Sequence, residues 1–303
     1  MSNANSHDVI EDLTVVIPTL GRPILEESLQ AIEAGSKWPA CIVVVDQGQR
    51  SEVARWLAEL SERGIRTSYV ASSQRGRALG VNRGIERVAT RFVAITDDDC
   101  FADREWLARM IDILRANPEC ALSGRVEAGG DEVVAFVVTE EEASVTTRPS
   151  LKFDPLSGGN MGTSMAVFER VGLFDEDPAM RCAEDGEWAY RALRAGVALR
   201  YAPDVSVSHV GWRDFTERAD QYRTYARSQG AFYGKYLARG DGFIALRLLA
   251  NELRATRRWL RGVLKRDAEL ATIGRAYATG LLPGVWAGLR SRAPAAPRLT
   301  QRQ

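Results

Sequence analysis

Over roughly its first hundred residues, the chain alternates between short apolar runs and longer segments whose apolar positions recur at helical spacing. The β-branched runs predict buried strands at 13–18, 41–46 and 92–96, and a weaker strand at 66–71. The periodic segments predict helices at 24–34, 51–60 and 78–89. Continuously apolar strands separated by helices are typical of an α/β domain with a mostly parallel central sheet.

The rest of the chain is less regular. The sequence predicts a glycine-rich loop leading into a short helix at 156–168, a helix at 184–193, and two short strands around a proline turn at 198–210. Beyond residue 212 the pattern is helical to about Arg266 and more loosely so to about Gly280. We therefore divide the chain into a polar N-terminal segment (1–12), an α/β domain (13–212), a C-terminal helical region (213–290) and a disordered tail (291–303).

The composition, with 45% hydrophobic and 26% charged residues, is that of an ordinary globular protein. The net charge is zero, but from Arg239 onward 13 Lys and Arg stand against 4 Asp and Glu. This excess predicts an anionic partner for the helical region, such as a membrane surface or nucleic acid. The four cysteines lack CxxC spacing, which favours reduced thiols. Because neither a signal peptide nor a membrane span is recognisable, we expect a cytoplasmic protein.

Three consecutive aspartates follow the last of these strands, in the stretch AITDDDCF (94–101). Side chains alternate along an extended chain, so Asp97 and Asp99 are expected to point to the same side. Two carboxylates on one side suit Mg²⁺ or Mn²⁺, which completes its coordination with water and substrate phosphates. The stretch therefore indicates either a metal–diphosphate site or a solvated acidic turn that caps the next helix.

Polar residues also follow the first two predicted strands, at 18–22 and at Asp46. In open α/β sheets, ligands bind in the crevice at the carboxyl ends of the strands. We therefore expect these residues and the aspartates to face one crevice.

Several stretches, in this order along the chain, resemble the family 2 glycosyltransferases: VVIPTLGRP, VVVDQG, GRALGVNRG, TDDD, GGNMGTSMAVFERVGLFDE and AEDGEWAYRALRAG. The resemblance covers about residues 13–212. It implies a GT-A fold, which is Rossmann-like, here followed by a C-terminal helical extension. It also implies sugar transfer with inversion from a nucleoside-diphosphate sugar (UDP, GDP or dTDP), assisted by a divalent cation, Mn²⁺ or Mg²⁺.

The resemblance assigns a donor site at the strand ends and in the loop before residue 78, made of Pro18, Thr19, Arg22, Asp46, Arg75, Arg77, Asp97 and Asp98. Asp46 would bind the donor base, and the arginines would contact phosphate. The metal ligands would be Asp97, Asp99 and His209. Alternatively, Asp46 is a turn residue, the arginines are solvated, His209 is structural, and Asp98 points away.

The same resemblance assigns Asp185 as the catalytic base that takes the proton of the acceptor hydroxyl. A carboxylate at a helix N-terminus is expected to stay ionised, because the helix dipole favours negative charge. The acceptor site would comprise Glu184, Gly159, Asn160 and Trp188. Alternatively, the two acids are favourable first-turn residues, and Trp188 belongs to the core.

The stretch 242–266 predicts an amphipathic helix with Leu246, Leu249, Leu253, Leu260 and Leu264 on one face and arginines beside them. Such a helix either lies on an anionic bilayer, which would place the protein at the inner face of the plasma membrane, or packs on the core. A lipid-linked acceptor favours the bilayer.

Processive relatives carry Gln-x-x-Arg-Trp and membrane spans, and the chain shows neither. We therefore expect one sugar per encounter with a saccharide or lipid-linked acceptor, in bacterial polysaccharide or glycolipid biosynthesis, without a nucleic-acid partner. A dehydrogenase, a pyrophosphorylase and an aspartate-dependent phosphatase are disfavoured, because their motifs are absent after the first strand. The alternative is a non-catalytic nucleotide-sugar- or membrane-binding protein of the same fold.

Overall fold

The computed structural model describes residues 8–129, 137–152, 155–210, 215–292 and 296–299. Within these ranges, nine strands form one sheet: β1 (Asp8–Thr19), β2 (Lys37–Asp46), β3 (Thr67–Ala71), β4 (Phe92–Thr96), β5 (Cys100–Ala102), β6 (Ala121–Gly129), β7 (Ser144–Thr146), β8 (Asn160–Ser164) and β9 (Leu199–Val210). The described helices are α1 (Ile24–Glu33), α2 (Ser51–Glu62), α3 (Arg77–Ile85), α4 (Trp106–Ala116), α5 (Met165–Val171), α6 (Glu184–Arg194), α7 (Phe215–Leu237), α8 (Gly242–Lys265) and α9 (Ala268–Arg290).

The strand order is β3-β2-β1-β4-β8-β6-β9-β5, and β7 pairs with β9. The first four strands are parallel to one another, as predicted. β8 runs antiparallel between β4 and β6, and β5 is antiparallel to β9, whereas β6 and β9 are parallel. The α/β architecture with a C-terminal helical region is therefore confirmed, and the second half of its sheet is mixed.

Apolar layers cover both faces of the sheet. In β1, Leu13, Val15 and Ile17 pack into the layer formed with α1, α2 and α4, whereas Val16 packs into the layer formed with α3, α5 and α6. Burial on both faces explains why the parallel strands are continuously apolar. The carboxyl ends of β1, β2 and β4 consequently share one edge of the sheet.

Three elements differ from the sequence prediction. β1 begins at Asp8, inside the supposed polar segment, because residues 8–10 pair with 37–39 of β2. Residues 160–164 form β8 and not a loop, since β4 and β6 offer backbone partners on both sides. Residues 199–210 form one strand and not two, because the bulge at 203–205 lets the chain resume its pairing with β6.

The C-terminal helices contain a close contact between α7 and α9, which run in the same direction. The glycines at this contact are Gly230, Gly234, Gly280, Gly284 and Gly288. A Cβ added to Gly284 would lie 2.1 Å from the carbonyl oxygen of Arg227. Small residues at these positions let the two backbones approach each other.

Buried polar contacts join the helical region to the α/β domain. Lys235 Nζ donates to Asp175 Oδ2 at 2.6 Å, and the Tyr236 hydroxyl donates to Glu187 Oε1 at 2.6 Å. Across the described residues, no helix combines the length and apolar character that a membrane span requires.

The tail 291–303, which we expected to be disordered, is described at 291–292 and 296–299. There the backbone N–H of Leu173 donates to the carbonyl oxygen of Pro297 at 2.8 Å, and Leu299 packs against the core near α5 and α6. The expectation is therefore wrong for residues 296–299. The rest of the tail, like residues 1–7 at the other end, lies outside the described residues.

Candidate active site

A cleft of about 1320 Å³ lies at the carboxyl edge of β1 and β4 and extends to the C-terminal helices. The predicted site residues that line it are Pro18, Thr19, Arg22, Arg75, Arg77, Asp97, Asp98, Asp99, Gly159, Glu184, Asp185 and His209. Ligand pockets typically measure about 300–1,000 Å³. This cleft is therefore larger than a typical pocket for one small ligand.

The aspartates occupy the turn that follows β4. Asp97 and Asp99 each bring a carboxylate oxygen to within 4.8 Å of the other and of the Cys100 sulfur. Asp98 is buried, and its Oδ2 accepts a hydrogen bond from the Thr19 hydroxyl at 2.6 Å. Asp97 and Asp99 thus lie close together as predicted, but a turn and not an extended stretch brings them there, since the N–H of Cys100 donates to the Asp97 carbonyl oxygen at 3.2 Å. Asp98 does not point away, because it lines the same cleft.

The loop after β1 brings a positive charge to these carboxylates. Gly21 adopts a φ of 76°, which favours glycine, and its N–H donates to the Thr19 hydroxyl at 2.9 Å. The turn directs Arg22 onto Asp98, with which it pairs, and onto Asp99 Oδ2 at 2.8 Å. Against the effect of burial, hydrogen bonding by His209 and the Arg22 charge hold the pKa of Asp99 well below its usual range.

A second arginine connects the aspartates to the start of α6. Arg77 Nε donates to Asp97 Oδ1 at 2.8 Å, and Arg77 Nη1 lies 3.4 Å from Glu184 Oε1. Within the described part of the chain, Nη2 of Arg77 is buried without a hydrogen-bond partner. A buried guanidinium N–H in this state is suited to receive an anionic ligand oxygen.

Asp185 lies in the first turn of α6. Its Oδ1 accepts from the N–H of Gly186 at 2.7 Å, and its Oδ2 accepts from the N–H of Gly158 at 3.2 Å. Burial nevertheless raises the pKa of Asp185 above its usual value, against the prediction based on the helix dipole alone. Burial also raises the pKa of Glu184 to about 8, despite the nearby Arg77.

Asp97 and Asp99 fit a divalent cation by their chemistry, because Mg²⁺ and Mn²⁺ prefer carboxylate oxygens. Cys100, which sequence reasoning missed, is a poor third ligand. Mg²⁺ and Mn²⁺ prefer oxygen ligands to sulfur. Burial also raises the pKa of this thiol well above its ordinary value. His209 Nε2 lies 3.6 Å from Asp99 Oδ1. Its assignment as a metal ligand stays a prediction.

Asp46 does not line the cleft, contrary to its predicted contact with the donor base. The residue is fully buried, and its carboxylate accepts hydrogen bonds from the N–H groups of Gly48, Gln49 and Arg50 and from the Tyr69 hydroxyl. These four bonds hold the loop between β2 and α2. These bonds give Asp46 a structural role, and its contact with a donor base stays a prediction.

Two predicted acceptor residues belong to the core. Trp188 is fully buried, stacks with Phe174 and donates from Nε1 to the Gly172 carbonyl oxygen at 2.9 Å. Its spacing from Glu184 places it on the inward face of α6, which explains the error.

Asn160 is also fully buried. Its Oδ1 accepts from Trp106 Nε1 at 2.8 Å, and its Nδ2 donates to the carbonyl oxygens of Arg125 and Val205. All these polar atoms are used within the fold, so the Asn160 side chain offers no free group to an acceptor in this structure.

The far wall of the cleft was not predicted. Side chains of α8 line it, namely Arg247, Asn251, Arg254, Ala255 and Arg258, together with residues of α7. The basic pattern of the helix was visible in the sequence. The packing of the three C-terminal helices decides which face of α8 turns toward the aspartates. The sequence of α8 alone does not encode this packing.

Comparison with known sequences places this cleft in a family context. The family model described as glycosyl transferase family 2 matches residues 14–173, which is more than half of the chain. The chain is 28% identical over 238 residues to the pre-mycofactocin glycosyltransferase of Mycobacterium tuberculosis, covering 74% of this chain and 46% of that protein. It is 25% identical over 184 residues to glycosyltransferase AglE of Haloferax volcanii, covering 55% of this chain and 56% of AglE. The chain therefore spans about half the length of these relatives.

Solved structures show the same fold at low sequence identity. The mannosyltransferase PcManGT from Pyrobaculum calidifontis, in complex with GDP-Man and Mn²⁺, aligns with a TM-score of 0.61 and 18% identity over 93% of this chain and 88% of that chain. S. aureus TarS 1–349 in complex with UDP-GlcNAc aligns with a TM-score of 0.55 and 14% identity over 89% and 92% of the two chains. With the family match, these similarities confirm the resemblance read from the motifs: the chain belongs to glycosyl transferase family 2.

Proposed function

We propose that this protein transfers a sugar from a nucleoside-diphosphate sugar to an acceptor hydroxyl, with inversion and with the help of Mn²⁺ or Mg²⁺. The observation that carries the proposal is one cleft that contains the Asp97–Asp99 carboxylate pair, two arginines bound to these aspartates, and Asp185. These are the charges needed to hold a diphosphate and to accept a proton.

The donor diphosphate would bind near the aspartates. Pro18, Thr19, Arg22, Arg75 and Arg77 all line the cleft. Pro18 and Thr19 would contact the nucleotide, and the arginines would offer their guanidinium groups to phosphate oxygens. A cation held by Asp97 and Asp99 would offset negative charge on the leaving diphosphate. The Mn²⁺ and nucleotide sugars bound to PcManGT and TarS support this assignment by analogy.

Asp185 would act as the base. Inversion requires a group on the acceptor side that takes the hydroxyl proton as the oxygen attacks the anomeric carbon. The N–H groups of Gly158 and Gly186 hold the carboxylate in one orientation, and its raised pKa makes it a stronger base than an ordinary aspartate. Glu184 and Gly159, which line the same wall, would orient the acceptor.

The finer assignments follow the family resemblance. We propose a hexose or deoxyhexose donor, a saccharide or lipid-linked acceptor, one sugar per encounter, and a role in bacterial polysaccharide or glycolipid biosynthesis. We also propose that the protein works in the cytoplasm at an anionic membrane surface.

The first test is binding of UDP, GDP and dTDP, each with and without Mn²⁺, measured by calorimetry. We expect one nucleotide to bind in a metal-dependent way and Asp99→Ala to abolish that dependence, because one of two carboxylate ligands is lost. Asp204→Ala is the matched control, since it removes an exposed carboxylate away from the cleft.

Absence of nucleotide binding by the folded wild-type protein would contradict the donor site and favour a non-catalytic membrane-binding protein. Equal, metal-independent binding by wild type and Asp99→Ala would contradict the metal site alone.

A further inference from the structure

Helix α8 presents a stripe of large apolar side chains to solvent. Its members are Leu246, Leu249, Leu253, Leu260, Val263 and Leu264, which are between 49% and 84% exposed. The opposite face of the helix is buried at Ile244, Arg247, Asn251, Ala255 and Gly262. The leucines predicted to form one helical face are therefore turned away from the core, and packing against the described residues does not account for them.

A cluster of arginines lies beside this leucine stripe. Arg254, Arg257, Arg258 and Arg261, with Leu270, surround a pocket of about 340 Å³. In the described part of the chain, no carboxylate forms an ion pair with any of these arginines, although Arg254 donates to Asn251 and to the Leu151 carbonyl oxygen. Four positive charges around one pocket favour an anion, and phosphate suits guanidinium groups because both form paired hydrogen bonds.

The arginine cluster adjoins the large cleft, because Arg254 and Arg258 line both spaces. Helix α8 therefore separates an apolar outer surface from the candidate active site, with basic side chains between them. A partner that combines apolar chains with a phosphate group matches this order of surfaces. An anionic phospholipid bilayer has that chemistry, whereas nucleic acid offers nothing to the exposed leucines.

We propose that α8 binds the surface of an anionic phospholipid membrane, with the leucine stripe among the acyl chains and the arginine cluster on a lipid phosphate. Resting on the proposed function, this would bring a lipid-linked acceptor to the cleft along the arginine side of α8. The arginine cluster beside the leucine stripe favours an anionic membrane over a second copy of the chain, because the same face of a second copy carries the same positive charge.

The test is co-sedimentation of the full chain with phosphatidylcholine vesicles, with and without phosphatidylglycerol. We expect binding only to the anionic vesicles. Arg257→Gln/Arg261→Gln should weaken it about 30-fold, from the typical contribution of two basic residues. Leu253→Ser/Leu260→Ser should weaken it at least about tenfold, because two exposed leucines no longer enter the bilayer.

Two matched control variants remove the same types of exposed side chain from other parts of the surface. Arg83→Gln/Arg87→Gln removes two exposed arginines of the α/β domain, and Val9→Ser/Val145→Ser removes two exposed apolar side chains of the sheet. Both controls should bind anionic vesicles like wild type.

Four outcomes would overturn the proposal: equal binding to both vesicle types, no binding, unchanged binding of the leucine variant, or a lipid-free dimer that the leucine variant converts to monomer. If inorganic diphosphate inhibits vesicle binding while the leucine variant binds vesicles like wild type, the arginines bind a soluble phosphate compound and not a lipid. Nucleotide binding with Mn²⁺ is measured on the same samples. If nucleotide binding persists when vesicle binding fails, this inference and the proposed membrane location fall, and the proposed sugar transfer stands. If nucleotide binding alone fails, only the donor site falls.

Discussion

Glu184 and Asp185 are adjacent acids at the start of α6, and the structure gives them different environments. Glu184 is buried against Arg77, and its pKa of about 8 keeps it largely neutral at neutral pH. Asp185 is bound by two backbone N–H groups and lines the cleft. We therefore expect Asp185→Asn to lower kcat at least about 100-fold, the usual range for loss of a general base, while nucleotide binding is retained.

Glu184→Gln is the matched variant, because an amide imitates the neutral acid at almost the same volume. It should retain most of the activity at pH 7. If both variants lose activity equally, or if Asp185→Asn stays active, Asp185 is not the base.

The raised pKa of Glu184 also has a consequence for stability. The unfolded chain releases this proton near pH 4.5, whereas the folded chain holds it until about pH 8. The contribution of Glu184 to the free energy of unfolding therefore falls as pH rises through this window. Urea titrations between these pH values should show a smaller decline for Glu184→Gln than for wild type. Glu62→Gln, at an exposed acid, should behave like wild type, and an unchanged slope in Glu184→Gln would contradict the raised pKa.

At this scale, the sequence correctly predicted that the carboxylates of Asp97 and Asp99 lie close together, although a turn brings them there and not the alternation of an extended chain. The same sequence could not show that Asp46, Asn160 and Trp188 are used up by internal contacts. The local sequence determines the position of a residue within its strand or helix, but the groups that its side chain contacts come from distant segments. Trp106, for example, binds Asn160.

The contact between α7 and α9 is decided by residues that no hydrophobic pattern reveals. Gly284 faces the Arg227 carbonyl oxygen, and a backbone atom cannot move aside as a side chain can. Gly284→Val should therefore lower the free energy of unfolding by at least about 2 kcal/mol through overpacking. Chemical denaturation measures this loss.

Gly242→Ala is the control for that substitution, since an added Cβ there meets no atom within 4 Å. Its stability should stay close to that of wild type. A tolerated valine at position 284 would mean that the helices pack less closely than described.

Strand β8 is also an element that the local sequence does not reveal. Its sequence NMGTS lacks the β-branched run of the first strands, so it resembled a loop. It is a strand because β4 and β6 leave a place between them, and backbone hydrogen bonding on both sides outweighs weak local propensity.

For the whole molecule, one buried ion pair joins the helical region to the α/β domain. Lys235 lies 2.6 Å from Asp175 and 3.6 Å from Asp177, and all three side chains are almost fully buried. Lys235→Met would leave buried carboxylates without their cation. We expect a loss of about 3–5 kcal/mol in the free energy of unfolding.

Lys37→Met removes the lysine of an exposed pair with Asp8 and should change stability little. Adding Asp175→Asn to Lys235→Met should recover part of the loss, because one uncompensated charge is removed. If Lys235→Met matches Lys37→Met in urea unfolding, the ion pair does not hold the two parts together.

The sequence by itself determined the α/β class, the parallel first half of the sheet, the family, and the edge at which the aspartates lie. These features follow from the spacing of apolar residues along the chain and from the order of the predicted elements, which can be read from neighbouring residues. Only the tertiary structure decided the mixed second half of the sheet, the burial of Trp188, and the orientation of α8 with arginines at the cleft and leucines in solvent. Those features depend on contacts between segments far apart in the chain, and such contacts leave no periodic signal.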